Sequence, residues 1–495
     1  MTVFRNQYLI TNTSSSNDIK GYKSSKVFGF YLNVFPPLET NFCHHKETSV
    51  LQLGIVLDPY NPGHSNAEIT ANLAQRSPDL SSFLKQIETL SGRYLFLFKN
   101  KTNFIAVGDA CHFRQIFYGL SEDNIVLTSS PKLFLEYFDL KLLNSPLKNE
   151  FTNSAAFNKS EQSWFGNQSP DDRLKKLLPN HYLDLTSGSA NRYKPKFTYK
   201  NKTEEERIFE ASQILKGSYK ALIHRNYNLI QPLTAGWDSR VLLAATKPWK
   251  ANISYYVFNR KKESEIIGQD VRIPLKLSKN IGLDFQAITP VRLRKSFIKQ
   301  FNKNHIYPRV LPKTRNIQYH FDKHKNDNTI NINGNGAEIL RCYYGNHLGK
   351  INLNMLIYLS GFPNSKFVRN ELTSWYKPAK KYSEETGLDL LDLFYWEQRL
   401  GNWGALFPYE MDIAIEEISP FNNKSFLYLI YFSGYKNRKK PDHIIFKKLI
   451  HFLWAEVLNE EINPDSPKLK SLIKRNAYTR YFALLFHNVY KQITA

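Results

Sequence analysis

The chain has 495 residues, 42% hydrophobic and 14% aromatic, so it can bury two sizeable cores, and length alone predicts two domains. Three cysteines make no disulfide framework, which predicts a reducing, cytoplasmic compartment; no secretory leader is visible, and no run reaches the roughly 20 apolar residues of a bilayer-crossing helix. A formal net charge of +23 predicts an anionic substrate or partner.

In the first 195 residues, LSGRYLFLF (90–98), VGDACHFRQIFY (107–118) and PNHYLDL (179–185) alternate or run apolar and are broken by Gly, Asp and Asn. That is the pattern of a layered sheet. The same stretches resemble a class II glutamine amidotransferase domain, which implies a degenerate Ntn-hydrolase-like αββα fold. Glutaminases of that family need a cysteine as the mature first residue, where its own α-amine is the base. This sequence opens MTVFR, so the resemblance implies no glutaminase activity; loss of Met1 exposes Thr2, a poor substitute for a thiolate. Cys43, Cys111 and Cys342 read as packing residues.

The polar run KPKFTYKNKT (194–203) predicts a boundary, with domains at 1–195 and 196–495. An amphipathic helix from about Glu204 follows, with Ile208, Ala211, Ile214 and Leu215 at helical spacing.

LIQPLTAGWDSR (229–240) reads as a buried strand through Leu233, a small-residue turn at Thr234, Ala235 and Gly236, and a helix start bearing Asp238 and Ser239. Small side chains let backbone N–H groups approach an anion, and the helix N-terminus adds partial positive charge. An ordinary strand-to-helix turn capped by Ser239 fits the same residues. No Gly-Lys-Ser/Thr follows, so a Walker A cradle is unsupported. The order is similar to the pyrophosphate loop Ser-Gly-Gly-x-Asp-Ser of the adenine nucleotide alpha hydrolase-like synthetases. That resemblance implies a parallel sheet flanked by helices, a helical C-terminal part, ATP cleaved to AMP and pyrophosphate, and magnesium on Asp238.

About a hundred residues on, NINGNGAEILRCYY (331–344) resembles the second loop of asparagine synthetases, Ser-Gly-Glu-Gly-Ser-Asp-Glu ending in Gly-Tyr. Gly334 and Gly336 then fall on the glycines, Tyr344 on the tyrosine and Glu338 on a metal-binding aspartate. Two carboxylates, Asp238 and Glu338, are suitable hard ligands for magnesium. The resemblance implies ATP contacts from Leu233, Thr234, Ala235, Gly236, Asp238, Ser239, Val257, Asn333 and Gly334. Asn335 stands where the family has a glutamate, and Ile339 replaces the acid beside the metal ligand, which implies a different amine.

WEQRLGNW (396–403) and EEISPFNN (416–423) resemble the family's helical stretch and its Glu-x-Arg-x-Pro-Phe-Leu-Asp turn. Pro420 and Phe421 are expected to end a helix and plug the interior. Glu416 either orients a site group or is a solvated glutamate in a buried turn. A family lysine past the last helices contacts the intermediate; Lys468 and Lys470 are the candidates, after WAEVL (454–458) and NPDSP (463–467).

The implied activity is an asparagine synthase-related, ATP-dependent ligase that adenylates a small-molecule or peptide carboxylate and passes the acyl group to an amine or ammonia. Ring closure of the β-lactam or lasso peptide type, and a nucleotide-binding pseudoenzyme, are the alternatives. Basic clusters at 260–262, 436–440 and 468–480 carry part of the net charge. The last precedes YFALLF (481–486), a helix expected to dock on its own domain, with a membrane face as the alternative. No RNA-binding signature is present, so no nucleic acid partner is expected.

Overall fold

A computed structural model describes residues 4–14, 19–120, 125–194, 198–259, 268–289, 291–309, 312–346, 350–464 and 476–493. The front half is built on two six-stranded antiparallel sheets. One runs Lys175–Lys176, Phe117–Leu120, Ile125–Thr128, Tyr8–Thr11, Phe30–Val34, Lys23–Val27; the other runs Ala190–Arg192, His181–Asp184, Phe104–Gly108, Ser91–Lys99, Thr48–Leu57, Thr40–His45.

The strand Ser91–Lys99 explains why a nearly unbroken apolar run is a strand here. Its side chains alternate between two cores. Leu95 and Leu97 enter the core between the sheets with Leu53 and Leu127, while Tyr94, Phe96 and Phe98 meet Ile69, Leu73 and Phe83 of the helices Asn66–Arg76 and Leu80–Ile87. On the far side, Leu9, Phe117 and Val126 pack against Leu133, Phe134 and Tyr137 of the helix Pro131–Tyr137. The layers are therefore helices, sheet, sheet, helix.

In the back half, five strands form a wholly parallel sheet in the order Phe285–Ile288, Ile253–Phe258, Asn228–Pro232, Thr329–Ile332, Glu416–Ile418. The helices Trp237–Ala245 and Gln269–Ile281 make the first two crossovers. The chain then crosses the sheet, so Asn228–Pro232 is flanked by Ile253–Phe258 on one side and Thr329–Ile332 on the other, which is the topological switch point. The helix Glu204–His224 opens with a Thr203–Glu206 capping box and buries Ile208, Ala211, Ile214 and Leu215.

Two sequence expectations change. The largest core is shared, with Cys111, Phe113 and Trp164 of the front half in one cluster with Leu215, Leu242 and Phe421 of the back half. Also, Pro420 and Phe421 do not end a helix: they follow the edge strand Glu416–Ile418 and precede the helix Lys424–Tyr431, because Glu416, Glu417 and Ile418 pair in parallel with Ile330, Asn331 and Ile332. Phe421 does plug the interior, with no exposed surface.

The halves are tied together by buried charge. Arg93 spans Asp412 with Nη1 2.6 Å from Oδ1 and Nη2 2.7 Å from Oδ2, and Arg114 Nη2 lies 2.8 Å from Glu416 Oε1. Asn6 Nδ2 donates to Glu416 Oε2 at 2.7 Å and Gln7 Nε2 to Asp412 Oδ2 at 2.8 Å. Glu416 is thus no solvated residue; it is 7% exposed and belongs to this interface. At Gly217 the two halves touch so closely that a Cβ would lie 1.9 Å from the Pro59 carbonyl oxygen.

Candidate functional site

A cleft of about 1060 Å³ opens at the carboxyl ends of the parallel strands, where the strand order switches. Thr234 and Ala235 from the first loop, Val257 from the adjacent strand end, and Asn333 and Asn335 from the second loop line it. Leu233 lies beneath, fully buried, with its N–H donating to the Tyr256 carbonyl at 2.8 Å. Gly236 is the N-cap of Trp237–Ala245 and offers no capping side chain, so first-turn N–H groups lack an intrahelical partner beside the cleft. Ser239 turns its hydroxyl into the loop: it accepts from the Thr234 N–H at 3.2 Å and lies 3.1 Å from the Gly236 carbonyl. It shapes the turn.

The second loop is held against the first. Asn333 N–H donates to the Ile418 carbonyl at 3.0 Å, and the Ser419 hydroxyl donates to the Asn335 carbonyl at 2.7 Å. Gly334 is packed on Asp238, where a Cβ would stand 2.9 Å from the Asp238 Cβ, and Gly336 takes a φ of +99°, a left-handed conformation suited to glycine. These contacts bring Asp238 and Glu338 to one place from loops a hundred residues apart.

Between the two carboxylates lies a residue that the sequence reading passed over. Arg341 Nη2 is 2.8 Å from Asp238 Oδ2 and 3.9 Å from Glu338 Oε1. Asp238 Oδ1 and Glu338 Oε2 are buried and have no hydrogen-bond partner among the described residues. Burial raises the Asp238 carboxyl to about 7 against the pull of Arg341, with Glu338 adding to the rise. Two carboxylate oxygens left unsatisfied beside the uncapped helix start fit a magnesium ion, which takes one or two carboxylates and completes its shell with water and phosphate oxygens. Among the described residues no cluster of three His, Cys, Asp or Glu makes a self-sufficient metal cage.

The cleft floor carries a second set absent from the sequence reading. Tyr256 donates its hydroxyl proton to Asn331 Oδ1 at 2.9 Å and lies 3.2 Å from His320 Nε2; Asn331 Nδ2 donates to Glu417 Oε1 at 2.7 Å. Burial lowers His320 to about 3, so its ring is neutral, and among the described residues its Nδ1 has no partner. Burial raises Glu417 to about 7, with the Asn331 bond acting against it. Glu417 adjoins Glu416 in sequence, but strand alternation sends Glu416 to the interface and Glu417 to the cleft.

From the C-terminal part, Asn463 N–H donates to the Ala235 carbonyl at 3.0 Å, and Asn463 and Pro464 line the cleft. Lys468 and Lys470 lie outside the described residues, as do Thr2 and the cluster at 260–262. The cluster at 436–440 is not a plain surface patch: Arg438 is buried against Asp392 at 2.8 Å, and Lys440 lines the cleft. The helix Ala477–Ile493 packs Tyr481 against Tyr358 and leaves Phe482 and Phe486 exposed. Among the described residues no helix is long and apolar enough to cross a membrane.

No family model matches the chain, and no curated protein matches it. Among solved structures, a glutamine phosphoribosylpyrophosphate amidotransferase from B. subtilis, complexed with ADP and GMP, aligns over 54% of this chain at 13% identity and a TM-score of 0.22. The match spans 64% of that protein, just under two thirds of its length. A structure of the allosteric regulatory enzyme of purine biosynthesis aligns over 78% of this chain and 83% of its own, at 12% identity and a TM-score of 0.22. At that TM-score neither superposition fixes a fold or an activity for this chain.

Proposed function

We propose that the protein is an ATP-dependent, AMP- and pyrophosphate-forming amide synthetase, asparagine synthase-related, that activates a carboxylate and passes the acyl group to an amine or ammonia. The observation that carries the reading is the meeting of Asp238 and Glu338, each with an unsatisfied buried oxygen, beside the uncapped start of Trp237–Ala245. Asp238 and Glu338 would hold magnesium there, which supplies charge neutralisation for a departing pyrophosphate. The first-turn amides of the helix Trp237–Ala245, uncapped by any side chain, would serve the same anion, where fixed donors act most strongly in a site shielded from water.

Further along the cleft, Glu417 is the acceptor at the end of the hydrogen-bond chain from Tyr256 and Asn331, and suits an amine that must lose a proton. The front half serves this reading as a scaffold without glutaminase activity. Burial pushes the Cys342 thiol up to about 12 and the Cys111 thiol well above its ordinary value, so neither is a ready nucleophile. Residues 4–7 are bonded into the interface through Asn304, Asp412 and Glu416.

The test is pyrophosphate release from ATP and magnesium across a panel of carboxylates, with ammonium or glutamine as nitrogen source and Asp238→Ala as control. Release that requires a carboxylate, runs with ammonium and disappears in the control is expected. ATP binding with no release on any acid would leave the proposal without chemistry.

A further inference from the structure

We infer that Arg341 is an internal counter-cation of the Asp238–Glu338 pair, which keeps free divalent metal out and exchanges places with metal that arrives on a nucleotide; this rests on the nucleotide reading proposed for the site. Glu338 and Arg341 lie three apart in the 3₁₀ turn Ala337–Arg341. Residues at that spacing eclipse on a 3₁₀ turn, so both side chains reach toward Asp238.

The contact is built loosely. One nitrogen, Nη2, serves both carboxylates at 2.8 and 3.9 Å, where a guanidinium facing one carboxylate squarely makes two parallel bonds. Among the described residues Asp238 Oδ1, Glu338 Oε2 and Arg341 Nε are buried without hydrogen-bond partners, so each member keeps an unused bonding position. By contrast, Arg93 at the interface is bidentate to Asp412. Side-chain exposures of 21% for Asp238, 25% for Glu338 and 17% for Arg341 leave the cluster partly accessible, and Arg341 itself lines the cleft.

A free metal ion must displace a cation already in place and leave Arg341 without a counter-charge. A metal–nucleotide complex brings phosphate oxygens, which the planar guanidinium pairs with well. Arg341 would then pair with a phosphate oxygen, and Asp238 and Glu338 would hold the metal. No covalent step is involved: Arg341 exchanges a carboxylate partner for a phosphate one. The consequence is an order of binding: the metal is held with nucleotide present and weakly without it.

The experiment uses the full chain and Mn²⁺, read by electron paramagnetic resonance of the free ion, with wild type, Arg341→Met and Arg341→Gln, each also in an Asp238→Ala background. Without nucleotide, both neutral variants are expected to bind Mn²⁺ about tenfold or more tightly than wild type, and Asp238→Ala removes the gain. With Mn²⁺ and α,β-methylene ATP, the same variants are expected to bind the analogue about tenfold or more weakly. Folded neutral variants that bind Mn²⁺ no better than wild type overturn the inference. Arg341→Lys keeps the charge and serves if the neutral variants do not fold: it is expected to bind Mn²⁺ as weakly as wild type, and tight binding overturns the inference. A gain in Mn²⁺ affinity with no analogue bound by any of the proteins, wild type included, overturns the nucleotide reading and supports the counter-cation.

Discussion

Replacing Glu417 by glutamine isolates the cost of holding a carboxylate in the cleft floor. The residue is 7% exposed, and burial moves its carboxyl from an ordinary 4.5 to about 7. Because the folded-state value is raised, the folded protein binds this proton more tightly than the unfolded chain does. The ionisation cost is therefore absent below pH 4.5, grows between 4.5 and 7, and is complete above 7. A rise of about 2.5 corresponds to about 3 kcal/mol. The glutamine carbonyl still accepts from Asn331 Nδ2, so the substitution removes the charge and keeps the bond. Urea unfolding of both proteins at pH 4.5 and pH 8.5 is the assay; the variant is expected to match wild type at the lower pH and to exceed it by about 1–3 kcal/mol at the higher. A difference that does not change with pH, or a wild type that is the more stable at pH 8.5, would refute the reasoning.

Gly334→Ala drives a methyl to within 2.9 Å of the Asp238 Cβ and should part the two loops, at about 1–3 kcal/mol locally; magnesium–ATP affinity measured by calorimetry is expected to fall about tenfold or more. Arg93→Ala leaves Asp412 buried without its bidentate partner and is expected to destabilise the protein by about 3–5 kcal/mol, visible as a lowered Tm in calorimetry. A thiol titration with a disulfide reagent should find one fast cysteine, Cys43, in the native protein and all three in denaturant, since Cys111 and Cys342 are buried. Gly217→Ala, which meets the Pro59 carbonyl oxygen at 1.9 Å, is expected to lower Tm with little change in the cleft, so Tm and nucleotide affinity should separate in this variant and move in the opposite pattern in Gly334→Ala.

The local elements were legible in the sequence because they follow from short-range rules. The apolar run at 229–233 before a small-residue turn is a strand ending at a loop, the helical spacing of Ile208, Ala211, Ile214 and Leu215 makes a helix from Glu204, and the apolar run in 90–98 makes a strand. The residues named on the two loops, Thr234, Ala235, Asn333 and Asn335, line one cleft, and Asp238 and Glu338 come together beside it. What the sequence left open is what each polar residue faces. Glu416 and Glu417 are adjacent and alike, yet one is bound by Arg93 and Arg114 and the other opens on the cleft, a choice made by the pleat of an edge strand whose register is set by pairing with Thr329–Ile332. Arg341 carries no signal as a cation of the site until the 3₁₀ turn carries it back to Asp238, and Cys111 of the front half lies under Gly336 of the back half only because one core is shared. Residue type and spacing determined the chain's strands, turns and helix starts, since those depend on backbone preferences within a few residues. Partners in charge were decided by tertiary structure, since a buried ion takes as its counter-ion whatever the packing brings within about 4 Å, however far away it lies in sequence.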